Sequence, residues 1–241
     1  MSIFDEIKNR YLNGDVLKRL LIVNCGMFVL ILLTDITLTL IGVGDKGYAA
    51  MLFQFPWNTM ALLVRPWTPV TALFTSYGLW HFIFNMLVLY WMGGIFQRYF
   101  TNTHLRGLYI IGGLAGMVGY TCTMLVPVFQ LKDWNGTMPM ASACILAIAV
   151  ALAFRVPDHQ ETFPVLGQVK IKYIVIALAL IDLALFPRTN PATDLAHAAA
   201  AATGFLFVRM LSKGRDITRP VTAFFVWINR IFKRKRLEDK G

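Results

Sequence analysis

Six long apolar runs dominate this chain and restrict what it can fold into. They cover roughly Leu20–Val43, Leu79–Phe96, Leu108–Val126, Pro139–Phe154, Tyr173–Phe186 and Leu195–Leu211. A spanning helix needs about 20 mostly apolar residues, so the pattern is that of a polytopic membrane protein. The runs lack the alternation of barrel strands, which leaves a helical bundle. Composition agrees. Hydrophobic residues are 57% of the 241 and charged residues 15%, too few to coat a soluble globule. The first run is too long for the apolar core of a signal peptide. Met1–Arg19 reads as an amphipathic N-terminal segment, residues 20–211 as the membrane domain, and 212–241 as a basic tail.

Lys and Arg fix an orientation. Six spans put both termini on one side, and 19 of the 23 basic residues fall there. Lys46, Arg65, Lys132 and Arg188 are the four on the other side. Both termini are therefore expected in the cytoplasm. The net charge of +10 then describes topology, and no nucleic acid is needed to explain it. The tail carries Val221, Phe224, Phe225, Ile228 and Ile231 at helical spacing and ends in Lys233–Arg236. It reads as an interfacial helix on anionic lipid at the cytoplasmic face. Cys25, Cys122 and Cys144 are dispersed through apolar helices and are expected to be small buried hydrophobes, with neither a disulfide framework nor a metal pattern.

In so apolar a chain, ionisable and polar groups inside the spans mark function. His81 and Asn85 stand in span two, Ser142 in span four and His197 in span six. These spans all run inward, and His81, Ser142 and His197 lie near their outer ends, so they share one depth. Span four is short. At 1.5 Å per residue it reaches about 24 Å against a core of about 30 Å, which puts Ser142 roughly 10 Å below the surface in an outward-facing, water-filled pit. A serine hydroxyl becomes a nucleophile when an imidazole takes its proton. His81 and Asn85, four apart on one helical face, can join the Ser142 backbone N–H as an oxyanion hole, leaving His197 as general base. Stripes of small residues, Ala143/Ala147/Ala151 and Ala196/Ala200/Gly204, suit close approach of spans four and six. This reading calls for a Ser142 Oγ–His197 Nε2 distance near 3 Å.

With these residues in place, the chain resembles the rhomboid family of intramembrane serine proteases. His81-Phe-Ile-Phe-Asn85 is similar to the family's H-x-x-x-N, and Gly93-Gly94 follows it. Met140-Ala141-Ser142-Ala143 stands where the family has G-x-S-G. Ala196-His197 with Gly204 is similar to its A-H-x-G-G-x-x-x-G. Pro66-Trp67-Thr68 lies in a long first outer loop, Asp45–Gly78, whose aromatic residues should be half embedded in the interface. The resemblance implies a six-transmembrane-helix rhomboid-like bundle. It implies Ser142 and His197 as a catalytic dyad without a carboxylate, His81 and Asn85 in the oxyanion hole, and no cofactor or metal. It also implies cleavage of single-span membrane proteins in or near the outer part of their transmembrane segments, and span five as a lateral gate. The expected location is a bacterial inner membrane. Met140, Ala143 and the pair Ala199-Ala200 replace motif glycines, which predicts wider helix contacts and motivates an alternative, a catalytically inactive rhomboid-like protein that binds transmembrane helices.

Two further features are weaker. Gly42-Val43-Gly44-Asp45 spells the G-x-G-D of presenilin-type aspartyl proteases, but Asp45 sits in a turn-like stretch and the companion motifs are missing. Asp35 and Asp182 are expected to meet polar neighbours or the pit. Asp194 most simply caps span six, and Asn135-Gly136-Thr137 is a chance glycosylation sequon in a glycine turn.

Overall fold

The computed structural model describes residues 15–43, 47–58, 60–123, 136–163, 167–185 and 191–238, with the side chains of 163, 182–185, 191, 229 and 232–238 excepted. Most of the amphipathic N-terminal segment, Asp45, Lys132, Asn135, and the side chains of Asp182 and Lys233–Arg236 lie outside the described residues.

The first helix, α1, covers Val16–Ile41. It starts four residues before the first apolar run because a cap, not hydropathy, sets its end: the Asp15 carboxylate accepts from Lys18 N at 3.0 Å. Gly42, in the left-handed region at φ 74°, closes it. Asp35 accepts from the Gly47 backbone N–H at 2.9 Å, and so ties α1 to the chain that follows it.

That chain is folded. It contains α2 (Tyr48–Phe53), β1 (Phe55–Pro56), α3 (Ala61–Val64), α4 (Thr68–Thr71) and a 3-10 turn at Ala72–Phe74. The indole N–H groups organise it. Trp67 donates to Leu52 O at 2.9 Å and Trp57 to Thr123 Oγ1 at 3.0 Å. Leu63, Val64, Met60 and Val70 are strongly exposed on one part of this segment. An apolar face of this kind fits a membrane interface.

The long helices follow. They are α5 (Leu79–Tyr99), α6 (Asn102–Cys122), α7 (Ala141–Arg155), α8 (Ile171–Leu185), α9 (Pro191–Ser212) and α10 (Arg219–Glu238). Thr101 caps α6, accepting from His104 N. Among the described residues α1, α5 and α9 are long and apolar enough to cross a membrane by length and composition, with shorter apolar helices in α7, α8 and α10. The architecture is an all-α membrane bundle.

α7 is the buried centre. Ten of its 15 residues are buried, because alanines at 141, 143, 147, 149 and 151 let neighbours close in around it. α6 and α9 pack on it and on each other, while α1 buries only Leu17, Leu20 and Asn24. α10 docks on α6, with the Arg106 guanidinium 4.3 Å from the centre of the Phe225 ring. Among the described residues, two small antiparallel ladders join the helices. β1 pairs with β2 (Thr137–Met138) in the register Phe55↔Met138. A hairpin of β3 (Gln160–Phe163) and β4 (Gly167–Lys170) joins α7 to α8, and the apolar pattern gives no hint of it.

Several sequence expectations change. Of the three cysteines only Cys144 is buried; Cys25 and Cys122 are exposed on helix surfaces, where a small apolar side chain suits lipid as well as protein. Asp194 is not a cap. The helix already begins at Pro191, whose missing N–H costs nothing at a first helical position, and Asp194 lies exposed in the first turn.

Candidate active site

Ser142 is the second residue of α7, in its first turn. Two backbone bonds fix the chain just ahead of it: Met140 N donates to Ala72 O at 2.8 Å and Ala141 N to Thr75 O at 3.4 Å. Together with the β1–β2 ladder they staple the entry of α7 to the first loop. A second helical N–H has no acceptor within its own helix, so the Ser142 N–H points out of the helix start, at the positive end of the α7 dipole.

His197 projects from α9. Its Nε2 lies 3.0 Å from Ser142 Oγ. Both residues are buried, at 6% and 9% exposure, so the bond is screened little by water. With the ring proton on Nδ1, the hydroxyl donates to Nε2, the geometry in which an imidazole can take a serine proton.

Glycines on α6 make this approach possible. A Cβ added at Gly116 would lie 3.1 Å from Ala143 Cβ on α7 and 3.4 Å from Ala196 O on α9. One added at Gly119 would meet Leu195 O at 2.7 Å and Ala199 Cβ at 2.8 Å. Gly112 faces Ala147 in the same way. α6 is thus a flat plate against which the Ser142 and His197 helices are both seated. The wider contact expected from alanines at motif-glycine positions does not occur, because Ala143 and Ala199 each face an α6 glycine. The Gly112/Gly116 spacing of four on span three is a sequence signal of this role, like the stripes on spans four and six.

Asn85, at the Ser142 end of α5, shares a cavity with Ser142. Phe84 and Val88 of α5, Ile145, Leu146 and Ala149 of α7, and Leu178 of α8 complete its lining. The cavity, about 30 Å³, is narrow and lies where α5, α7 and α8 meet. Asn85 Nδ2 is 3.3 Å from Ser76 Oγ and 3.3 Å from His81 Nδ1. His81 Nδ1 also accepts from the Tyr77 backbone N–H at 3.3 Å. A backbone N–H can only donate, so that contact assigns the His81 proton to Nε2. The four residues singled out in the sequence therefore form a linked set: Ser142 with His197 directly, Ser142 with Asn85 across the cavity, and Asn85 with His81. Among the described residues no three or more His, Cys, Asp or Glu side chains gather as metal ligands.

The arrangement holds a hydroxyl against an imidazole, beside a helix N-terminus and a side-chain amide, inside a membrane bundle. No curated protein matches the chain. A family model, that of the Rhomboid domain, matches residues 64–214, which include His81, Asn85, Ser142 and His197. The chain belongs to the rhomboid family.

Proposed function

We propose that this protein is an intramembrane serine endopeptidase that cleaves single-span membrane proteins in or near the outer part of their transmembrane segments. The observation that carries this reading is the 3.0 Å approach of Ser142 Oγ to His197 Nε2 in a buried site. Ser142 Oγ attacks the scissile carbonyl carbon as its proton passes to Nε2. The oxyanion of the tetrahedral intermediate is stabilised by the Ser142 N–H and the Asn85 amide, with His81 Nε2–H as a further donor. Collapse breaks the C–N bond, and His197 returns the proton to the leaving amine. Water, deprotonated by His197, then attacks the acyl carbon; the C–O bond to Ser142 breaks and His197 returns the proton to Oγ. A helical peptide bond is shielded from such attack, so substrates should offer small residues and a segment that unwinds easily.

The distribution of Lys and Arg supports both termini in the cytoplasm, and with it an outward-facing site in a bacterial inner membrane. The amphipathic α10 supports contact with anionic lipid on the cytoplasmic face. Leu178 of α8 lines the cavity that Ser142 and Asn85 share, which supports α8 as the element past which a substrate segment would enter.

Purified protein in detergent or bilayers, given a fluorophosphonate and several single-span substrates, tests the reading. Wild type should be labelled and should cut, and Ser142→Ala should do neither. Absence of both in wild type overturns the proposal. It would favour the rival reading, a silent helix-binding relative, to which Met140 and Ala143 at the motif-glycine positions lend support.

A further inference from the structure

Backbone carbonyls of residues 72–75 hold the start of the Ser142 helix in place. Ala72 O takes the Met140 N–H and Thr75 O the Ala141 N–H, the two amides immediately before Ser142. What holds this turn lies on its other side. The Tyr109 hydroxyl of α6 is 2.8 Å from Leu73 O, 3.0 Å from Asn24 Nδ2 and 3.1 Å from Asn24 Oδ1. A phenol has one proton, and an amide group has two. Of the two carbonyl oxygens within its reach, Leu73 O is the nearer and takes the Tyr109 proton. Asn24 then donates one proton to the Tyr109 oxygen and the other to Leu20 O, which lies at 2.8 Å. Tyr109 and Asn24 are fully buried, Leu73 nearly so, and the Phe74 ring stacks on Tyr109 at 5.7 Å. Cys144, two residues beyond Ser142, leans its thiol on the same Leu73 carbonyl at 3.8 Å.

We infer that Tyr109, oriented by Asn24, is a positioning residue for the nucleophile: its hydroxyl pins the 72–75 turn, and the turn aims the first turn of α7. The inference rests on the proposed protease reading for its catalytic consequence, but its structural part stands alone. A buried carbonyl that loses a strong donor shifts, because a dry interior offers little to replace it. Loss of the Tyr109 hydroxyl is therefore transmitted to Met140 and Ala141 rather than dissipated in solvent.

Tyr109→Phe keeps the ring and its stacking and removes the hydroxyl alone. Hydrogen exchange at the Met140 and Ala141 amides should accelerate about tenfold in this variant, with α5 and α9 unchanged. Fluorophosphonate labelling of Ser142 and kcat should fall by a similar factor, with KM and the pH profile set by His197 unaltered. Asn24→Ala should shift the same readouts in the same direction by less, and it serves as the test if Tyr109→Phe does not yield monodisperse protein. Wild-type exchange at Met140 and Ala141 overturns the inference, as does a uniform rise across all helices, which is the mark of general destabilisation. A wild-type protein that neither labels nor cuts overturns the protease reading instead and leaves the exchange comparison to decide this one.

Discussion

Gly204 of α9 is pressed against the backbone of Ala147 of α7. A Cβ built on Gly204 runs into the Ala147 carbonyl oxygen and lies 3.2 Å from Ala151 N. Those atoms are backbone and cannot swing aside, so a methyl group there must part the helices that carry Ser142 and His197. Ala in place of Gly favours a helix by about 1 kcal/mol, whereas overpacking costs about 1–3 kcal/mol. Gly204→Ala should therefore lower the thermal midpoint. A displacement of about 1 Å at the dyad should slow fluorophosphonate labelling by about 100-fold. Labelling of Gly204→Ala at the wild-type rate would show that the close contact does not set the dyad.

The two members of the dyad should fail differently from packing residues. Ser142→Ala and His197→Ala should each abolish cleavage, by about 10³-fold or more, and the double variant should be no worse than either alone, since the two groups act as a unit. Ser142→Ala should keep a near-wild-type melting temperature, because it removes one hydroxyl and with it a hydrogen bond worth about 1 kcal/mol. Additive losses in the double variant would argue that they act separately.

Asn85 and His81 are not equivalent in the structure. Asn85 lines the cavity with Ser142, whereas His81 reaches that cavity through Asn85 and has its Nδ1 engaged by Tyr77 N. Removing an oxyanion donor costs about 2.7–4 kcal/mol, or 10²–10³ in kcat. Asn85→Ala should show a loss of that size and His81→Ala a smaller one, measured as kcat on a single-span substrate. A larger loss in His81→Ala would place the oxyanion nearer the imidazole.

Hydropathy made the bundle legible, since each of the six apolar runs has its helix. It did not make the helix ends legible, because ends answer to caps: Asp15 starts α1 ahead of Lys18 and Arg19, and Thr101 starts α6 six residues before the run at Leu108. The site residues were readable because polar groups are rare in such a chain. The devices that place them were less so. The Gly112/Gly116 spacing marks a flat helix face but does not say which residues sit on it, and the backbone carbonyls of Ala72 and Thr75 carry no sequence signature at all. The first loop read as aromatic and interfacial, but its pairing to Thr137–Met138 needed the fold.

The hairpin ahead of α8 carries a pH-dependent clamp. Asp158, exposed, accepts from Lys170 Nζ at 3.0 Å and Lys172 Nζ at 3.1 Å. Those hydrogen bonds, then the two positive charges, hold its carboxyl below the usual carboxylate value, and the bond to Asp158 raises Lys170 above the usual lysine value. A lowered carboxyl pKa stabilises above the unfolded value of about 3.9 and loses that contribution as pH falls through the folded value. A raised lysine pKa stabilises below about 10.4 and is lost as pH rises past the folded value. The clamp is therefore constant from about pH 5 to 9 and opens at either extreme. It should appear in the protection of the Ile171 and Lys172 amides, which donate across the same junction to His159 O and Pro157 O. After correction for intrinsic exchange, protection should be flat from about pH 5 to 9 and fall below about pH 4. In Asp158→Asn it should be lower throughout that range and lose the acid step, and in wild type added salt should weaken it, since the pair is open to solvent. Protection in wild type that holds down to pH 2 would mean that the β3–β4 ladder alone, without Asp158, secures the start of α8.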